Sequence, residues 1–74
     1  MQVTVKLFAY FRDNRFKEEG REYPKNTTVT DVVNELGIVA DEIGITMINS
    51  RHCDQDAALK EGDILAIFPV VGGG

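Results

Sequence analysis

The chain has 74 residues and a mass of 8.2 kDa, which leaves room for one domain. Its composition, 43% apolar and 27% charged, is typical of a globular protein rather than a disordered one. A net charge of −4 argues against a nucleic-acid partner, and no apolar run reaches the roughly 18 residues of a membrane-spanning helix. The single cysteine, Cys53, excludes an internal disulfide framework. We therefore expect a cytoplasmic protein with neither a nucleic acid nor a membrane as a partner.

The first predicted element is a strand, because apolar side chains alternate with other side chains from the start of the chain. Its inward face would hold Val3, Val5, Leu7, Ala9 and Phe11. This period of two predicts a strand that ends at about Arg12, followed by a polar loop to about Gly20. Residues 21–23 predict a short second strand, antiparallel to the first, which Pro24 ends.

A helix is predicted next, with Thr30 as its N-cap and Asp31 at the positive end of its dipole. Its apolar stripe consists of Val29, Val32, Val33 and Leu36. Gly37 suits the position just after the helix, and Ile38 supplies the hydrophobic contact of a Schellman ending.

The second half of the chain is predicted to contain short elements that lead to one strongly apolar strand. This last strand spans residues 64–68 and is ended by Pro69, and a turn before it places Leu59 in the core. The shorter elements are a helical turn within residues 39–44, a third strand at 45–48, a brief fourth strand at 51–53 and a tight turn at 60–63.

The order of these elements predicts an α+β fold, with one main helix packed on one face of a mixed sheet. The first and last strands are the most apolar, so both should be central. The connection between them carries the helix, which favours a parallel pair. This arrangement is a β-grasp sheet. We expect residues 1–69 to form this domain and residues 70–74 to be a flexible, glycine-rich tail.

The tail ends in Gly72, Gly73 and Gly74, directly after the last core strand. Glycines contribute nothing to packing, so the chemistry of the tail is the α-carboxylate of Gly74. A segment of chain without side chains can enter a narrow channel on another protein and present that carboxylate there. Because a carboxylate is a poor acyl donor, ATP must activate it as an acyl-adenylate, from which a nucleophile displaces AMP. A glycine-rich end can also be an unstructured terminus without a function.

Several segments resemble the MoaD/ThiS sulfur-carrier family, and together they span the whole chain. The closing segment, residues 59–69 followed by the terminal glycines, is the most specific part of the resemblance. The other matching segments are residues 5–12 at the opening strand, 28–36 at the helix and 48–49 at the end of the third strand. The resemblance implies a ubiquitin-like β-grasp fold and a role as a sulfur carrier rather than as an independent enzyme.

In this family an E1-like enzyme adenylates the C-terminal glycine, which is then converted to a thiocarboxylate. The resemblance therefore implies that Gly74 carries the sulfur and that Gly73 is the penultimate glycine required by the enzyme's channel. The sulfur would come from a donor such as a cysteine desulfurase or a rhodanese. The chain itself would bind no cofactor or metal, because the activating partner uses the ATP.

Two pathways remain open for the sulfur. The opening strand and the loop after it resemble the MoaD type, which works with the large subunit of molybdopterin synthase in molybdopterin biosynthesis. The short stretch 36–49 is closer to the ThiS type, which works with thiazole synthase in thiamin biosynthesis. Val70 also stands where MoaD-type tails usually have a second proline. We favour the MoaD type and keep the ThiS type as the alternative.

A docking surface for partners is predicted on the uncovered face of the sheet. Phe8, Tyr10 and Phe68 fall opposite the core positions of their strands, next to the outgoing tail, and exposed aromatic groups mark partner surfaces. The other interpretation is that a loop covers these rings. The residues expected to contact a partner are Phe8, Tyr10, Phe68, Pro69, Val70, Val71 and Gly72.

Other functions are also compatible with the sequence. The same terminal glycine could be conjugated to lysines, as in a protein modifier, or the tail could be incidental to a non-catalytic binding module. An independent enzyme is disfavoured, since no carboxylate pair, metal cluster or nucleophile–base pair is visible. Cys53 fits a small apolar residue better than a thiol for sulfur relay.

Overall fold

Five strands and one α-helix make up the described part of the chain, which is residues 1–70 of the computed structural model. The strands are β1 (Gln2–Leu7), β2 (Glu18–Glu22), β3 (Ile43–Ile48), β4 (Arg51–His52) and β5 (Ile64–Pro69). The helix α1 spans Val29–Glu35, and two 3₁₀ helices span Ala9–Arg12 and Ala40–Glu42. None of the helices in residues 1–70 is long and apolar enough to cross a membrane.

The strands form one mixed sheet in the order β2-β1-β5-β3-β4. β1 and β5 are neighbours and pair in parallel, whereas β2, β3 and β4 pair antiparallel with the strands beside them. The two most apolar strands therefore lie inside the sheet and run in the same direction, as predicted. With its one α-helix, the sheet is a ubiquitin-like β-grasp fold, and this prediction is confirmed.

The core lies between α1 and the sheet. Alternate residues of β1 and β5 are buried, because the period of two sends every second side chain to the same face. The helix contributes the predicted stripe, although Leu36 is buried only in part. Leu59 is buried as predicted. The largest fully buried side chains are Phe11, Leu7, Leu65, Ile67, Val3, Val5, Val29, Val32 and Val33.

The start of α1 differs from the prediction, because Thr28 and not Thr30 is the N-cap. The Thr28 hydroxyl accepts a hydrogen bond from the backbone N–H of Asp31 at 3.2 Å. The Asp31 carboxylate accepts one from the backbone N–H of Thr28 at 2.9 Å. This capping box satisfies two N–H groups at the start of the helix. Thr30 lies in the first turn, and its hydroxyl donates to the Gln55 carbonyl at 2.7 Å.

The end of α1 is the predicted Schellman motif. Gly37 adopts a φ of 73°, in the left-handed region that favours glycine. Its N–H donates to the Asn34 carbonyl at 3.1 Å, and the N–H of Ile38 donates to the Val33 carbonyl at 3.1 Å. Ile38 is buried in the same core cluster as Val33, in keeping with the hydrophobic contact that accompanies this motif.

β1 is shorter than predicted and ends at Leu7 rather than near Arg12. Ala9 has a left-handed φ of 53° and opens a 3₁₀ helix that leaves the sheet. This helix carries Phe11 into the core, where the side chain is 1% exposed. The apolar alternation therefore continues in the sequence after the strand has ended.

β2 begins earlier than predicted, at Glu18 instead of Arg21. Its side chains are mostly exposed, so no apolar alternation marks the strand in the sequence. Its position is set by pairing with β1, which places Lys6 opposite Glu18. The helical turn predicted within residues 39–44 forms as the second 3₁₀ helix, and the predicted third and fourth strands form as β3 and β4. Their boundaries differ from the predicted ones by one or two residues.

A hydrogen-bonded bridge joins the end of β2 to α1. The Tyr23 hydroxyl donates to a carboxylate oxygen of Glu35 at 2.8 Å, and the Arg21 guanidinium donates to the same oxygen at 3.2 Å. Burial raises the pKa of Tyr23 to about 12, and its hydrogen bond to Glu35 contributes to this increase. The positive charge of Arg21 lowers this pKa and so offsets part of the increase.

Candidate functional site

The candidate site is the end of β5, after which residues 71–74 continue the chain, together with the outer face of the sheet beside it. Pro69 is buried, whereas the side chain of Val70 is 52% exposed. The backbone N–H of Val70 donates to the Glu42 carbonyl at 2.8 Å. The chain is therefore tied to the body of the domain up to Val70.

Gly44 lets β5 pass close to β3 at this point. The pairing of the two strands shifts register between Ile43 and Ile45, which is a β-bulge. A Cβ on Gly44 would lie 2.8 Å from the Pro69 carbonyl oxygen and 3.0 Å from the Val70 Cα, so the backbone would have to move. The sequence analysis missed this residue, although a glycine inside a strand is itself a signal for a bulge or a close approach.

Phe8 and Phe68 meet on the outer face of the sheet, where the strand pattern places them. Their ring centroids are 4.1 Å apart and the ring planes differ by 13°, so the rings are stacked. The parallel register pairs Leu7, the last residue of β1, with Ile67 of β5, and the residue that follows each of them belongs to this aromatic pair. Both side chains are half-buried, which leaves part of each ring on the surface.

The aromatic pair belongs to a larger apolar surface that β3 and β5 share, because paired residues of neighbouring strands lie on the same face. On this outer face, the two strands hold Ile45, Met47, Ala66 and Phe68. Ile48 pairs instead with the buried Leu65. The sequence left open which residue of β3 faces the helix, and the register shows that it is Ile48 rather than Met47.

Tyr10 lies apart from the aromatic pair. It is 48% exposed on the first 3₁₀ helix and packs edge-on against Phe11, with ring centroids 5.1 Å apart. The prediction that it shares a strand face with Phe8 is wrong, because β1 ends at Leu7. Arg12 lies beside Phe8 instead, with its guanidinium carbon 5.3 Å from the ring centroid. Sequence reasoning missed this contact because it depends on the 3₁₀ turn.

Cys53 is half-buried and packs against the core. Its thiol lies 3.6 Å from the Thr46 hydroxyl, which in turn donates to the Cys53 carbonyl at 2.9 Å. These contacts are those of a small packing residue. Within residues 1–70, no three His, Cys, Asp or Glu side chains converge as a metal site would require.

The C-terminal residues to which the sequence assigned the sulfur chemistry and part of the docking surface lie outside the described residues. They are Val71, Gly72, Gly73 and Gly74. The adenylation and thiocarboxylation expected at the C-terminus therefore stay predictions. The docking role expected of Phe8, Tyr10, Phe68, Pro69 and Val70 is likewise untested. The rings of Phe8 and Phe68 lie against each other just before Pro69 and Val70, whereas Tyr10 lies apart from them.

Comparison with known sequences identifies the family. The sequence model of the ThiS family matches residues 5–74, which is nearly the whole chain and includes the terminal glycines. No curated protein sequence matches the chain. The match therefore covers both the folded domain and the predicted tail.

Solved structures with the same fold include three small proteins. A Pyrococcus furiosus protein assigned as molybdopterin converting factor subunit 1 is 28% identical, with a TM-score of 0.78 over 96% of this chain and 99% of that one. Small archaeal modifier protein 1 from Haloferax volcanii is 23% identical, with a TM-score of 0.75 over 95% and 98% of the two chains. A chain in the complex of subunits 1 and 2 of the molybdopterin-converting factor from Helicobacter pylori is 20% identical, with a TM-score of 0.68 over both full lengths. The last two likenesses show the fold alone.

The family match and the fold lead to the same assignment. The matched residues run from β1 through the terminal glycines, and the sheet with its single helix is shared with the ubiquitin-like neighbours. The resemblance seen in the sequence is thereby confirmed. The chain belongs to the ThiS family of small, ubiquitin-like sulfur-carrier proteins.

Proposed function

We propose that this protein is a sulfur carrier whose C-terminal Gly74 is adenylated by an E1-like enzyme and converted to a thiocarboxylate. The loaded carrier donates its sulfur in molybdopterin biosynthesis, together with the large subunit of molybdopterin synthase. The observation that carries this proposal is the family match, which extends through residue 74. The likeness to the Pyrococcus furiosus converting-factor subunit supports the choice of pathway.

The proposed loading follows from the chemistry of a carboxylate. One oxygen of the Gly74 carboxylate attacks the α-phosphorus of ATP, pyrophosphate leaves, and an acyl-adenylate forms. A persulfide sulfur from a cysteine desulfurase or a rhodanese then attacks the acyl carbon, and AMP leaves. A thiol cleaves the resulting acyl disulfide, which releases the thiocarboxylate and leaves a disulfide on the donor side.

In this proposal the enzyme binds the ATP, and the carrier presents its terminus. The sequence contains no glycine-rich phosphate loop followed by Lys and Ser or Thr. The final residues, Gly72 to Gly74, lack side chains that could clash with the walls of a narrow channel. The folded domain then serves as the part that the enzyme recognises.

The outer face supports this recognition step. The stacked rings of Phe8 and Phe68 form an apolar surface directly before the tail, and Ile45 extends it along β3. Aromatic residues are enriched in the buried centres of protein interfaces. Pro69 and Val70 follow Phe68 immediately, so a partner that covers the rings also meets the start of the tail. The likeness to a chain solved together with a second subunit supports a protein partner.

Intact-protein mass spectrometry tests the proposal after incubation with ATP, an E1-like enzyme and a sulfur donor. Replacing one C-terminal oxygen by sulfur adds about 16 Da. We expect this gain in the wild-type protein and not in a variant that lacks Gly73 and Gly74 but keeps the whole described domain. If the wild type gains no mass while a known carrier is loaded under the same conditions, the proposal is wrong.

Delivery of the sulfur to the thiazole of thiamin is the alternative, and the description of the matching family keeps it open. Loaded carrier is incubated separately with the large subunit of molybdopterin synthase and with thiazole synthase, each with its acceptor. We expect the carrier to lose its sulfur, and about 16 Da of mass, only with the former. Consumption by thiazole synthase alone would assign the carrier to thiamin biosynthesis instead.

A protein modifier is the second candidate function, favoured by the likeness to small archaeal modifier protein 1. It shares the activation step but ends in an isopeptide bond between Gly74 and a lysine of another protein. An epitope-tagged chain expressed in its host would then give adducts of higher mass on a denaturing gel. A tagged variant without Gly74 is the control, and equal patterns for both chains would exclude conjugation.

A further inference from the structure

A shallow depression lies on the outer face beside the aromatic pair, where β1 is next to β2. Its volume is about 140 Å³, and it is lined by Lys6, Phe8, Arg12, Lys17 and Glu18. Three of these side chains are cationic and one is anionic, so the lining has a net charge of +2. We call this feature the basic depression.

Arg12 is held in a fixed orientation in the basic depression. Its Nε donates to the Leu7 carbonyl at 2.6 Å, and its guanidinium carbon lies 5.3 Å from the centroid of the Phe8 ring. Among the hydrogen bonds of residues 1–70, the Arg12 side chain makes only this one through Nε, so both terminal nitrogens can donate to a new partner. A guanidinium presented in this way matches the two oxygens of a carboxylate.

The two lysines add positive charge around this guanidinium. Lys6 Nζ lies 4.0 Å from the Glu18 carboxylate, and both side chains are more than a third exposed. Such a long surface ion pair contributes little to stability, so an incoming carboxylate can replace it at a small cost. Lys17 is anchored through its backbone, because its carbonyl accepts a hydrogen bond from the Leu7 N–H at 3.0 Å.

The charge of the whole chain makes this location distinctive. Residues 1–25 carry six basic and four acidic side chains, whereas residues 26–74 carry two basic and eight acidic ones. An acidic protein surface is therefore repelled by most of the molecule and attracted at the basic depression. Such a pattern orients an encounter before contact and suppresses wrong approaches.

We propose that the basic depression receives an aspartate or glutamate side chain of the E1-like activating enzyme. A neighbouring apolar residue of the enzyme packs on the stacked rings of Phe8 and Phe68. Phe8 belongs both to the basic depression and to the stacked aromatic pair, so one segment of the partner covers both features. The Glu18 carboxylate at the depression and the net charge of −4 disfavour a phosphodiester backbone as the occupant. This inference rests on the proposed function, because it specifies how the loading enzyme recognises the carrier.

The first test needs no enzyme. Isotope-labelled protein is titrated with the peptide acetyl-Asp-Glu-Phe-Leu-Asp-Glu-amide while backbone NMR shifts are followed. We expect the largest shifts at Lys6, Phe8, Arg12 and Lys17. A peptide with Asn and Gln in place of the acids should cause much smaller shifts. Equal shifts from both peptides, or none in the basic depression, would overturn the inference.

Two controls sharpen this titration. The double variant Lys6→Gln, Lys17→Gln should lose most of the shifts, whereas Arg51→Gln, an exposed position on β4, should keep them. Inorganic phosphate at the same ionic strength is a third titrant. If phosphate reproduces the shifts of the acidic peptide, the depression binds anions in general, and the assignment to an acidic protein segment is wrong.

The second test measures adenylation by the E1-like enzyme as the release of pyrophosphate. For the double variant Lys6→Gln, Lys17→Gln we expect KM to rise about fivefold with kcat unchanged, because only docking is weakened. Arg12→Lys keeps the positive charge but loses the two-pronged guanidinium, and it should raise KM less than the double variant does. An unchanged KM would overturn the inference while the proposed function stands. If the wild type is not adenylated at all, the proposed function fails, and the enzyme is excluded as the source of the acidic side chain even if the peptide titration succeeds.

Discussion

The rings of Phe8 and Phe68 lie face to face outside the core, with their centroids 4.1 Å apart. A stacked pair of this kind contributes beyond the area that each ring buries. We predict a coupling free energy of about 0.5–1.5 kcal/mol between the two positions in a double-mutant cycle of Phe8→Leu and Phe68→Leu. Urea unfolding of the wild type and the three variants provides the measurement. Simple additivity of the two losses would mean that the rings act independently.

Gly44 is a second residue whose role follows from a single distance. A Cβ added at Gly44 would lie 2.8 Å from the Pro69 carbonyl oxygen. Because that oxygen belongs to the backbone, it can move only if the backbone shifts. We predict that Gly44→Ala lowers the free energy of unfolding by about 1–3 kcal/mol. Gly20→Ala is the matched control, since its Cβ would meet only the movable amide of Gln2, at 2.8 Å. Equal effects of both variants in thermal or urea unfolding would contradict this account.

Individual residues were predicted correctly where the strand period alone fixes the direction of a side chain. This holds for the placement of Phe8 and Phe68 on one face. It fails for Tyr10, because the backbone turns at Ala9 before reaching it. Arg12 reaches the Phe8 ring through the same turn, so no local pattern in the sequence could reveal that contact.

At the scale of elements, α1 depends on its cap because it has only seven residues. We predict that Thr28→Ala lowers the free energy of unfolding by about 1 kcal/mol, since it leaves the Asp31 N–H without its acceptor. Asn34→Ala, at an exposed position of the same helix, is the control. If the two variants are equally stable in urea unfolding, the capping box does not stabilise the helix.

Elements were predictable to the extent that one of their faces is buried. The helix, β1 and β5 have a clear apolar period, and the sequence located all three. β2 has none, since its side chains are mostly exposed, and its position depends on pairing with β1. The choice between Thr28 and Thr30 as N-cap also required the structure, because both residues are compatible with the local pattern.

The stability of the whole molecule should depend on pH through Tyr23. Burial and the hydrogen bond to Glu35 raise its pKa from 10.0 to about 12 in the folded state. The unfolded chain therefore releases this proton first, so the contribution of Tyr23 is complete below pH 10 and is lost as pH rises toward 12. We predict that the stability difference between the wild type and Tyr23→Phe shrinks over this interval. A constant difference in unfolding experiments from pH 9 to 12 would contradict the shift.

The overall topology was predictable because the apolar composition of the strands and the helical connection between them indicate the same sheet. The two most apolar strands had to be central, and the helical connection between them favoured a parallel pair, which is what the sheet contains. The precise register and the bulge at Gly44 were not predictable, since they arise from contacts between distant parts of the chain. The chemistry expected at Gly74 was inferred from the terminal glycines together with the strand order and the family resemblance, and it stays a prediction that the mass experiment described above tests.

The parallel pairing of β1 with β5 governs when this chain can fold during its synthesis. Thr4 pairs with Ile64, 60 residues later, so the middle of the sheet stays incomplete until β5 has left the ribosome. A translation product interrupted before β5 would expose the apolar side of β1 and be open to proteases. The cell's partners would thus meet a native surface only on chains whose translation has passed β5.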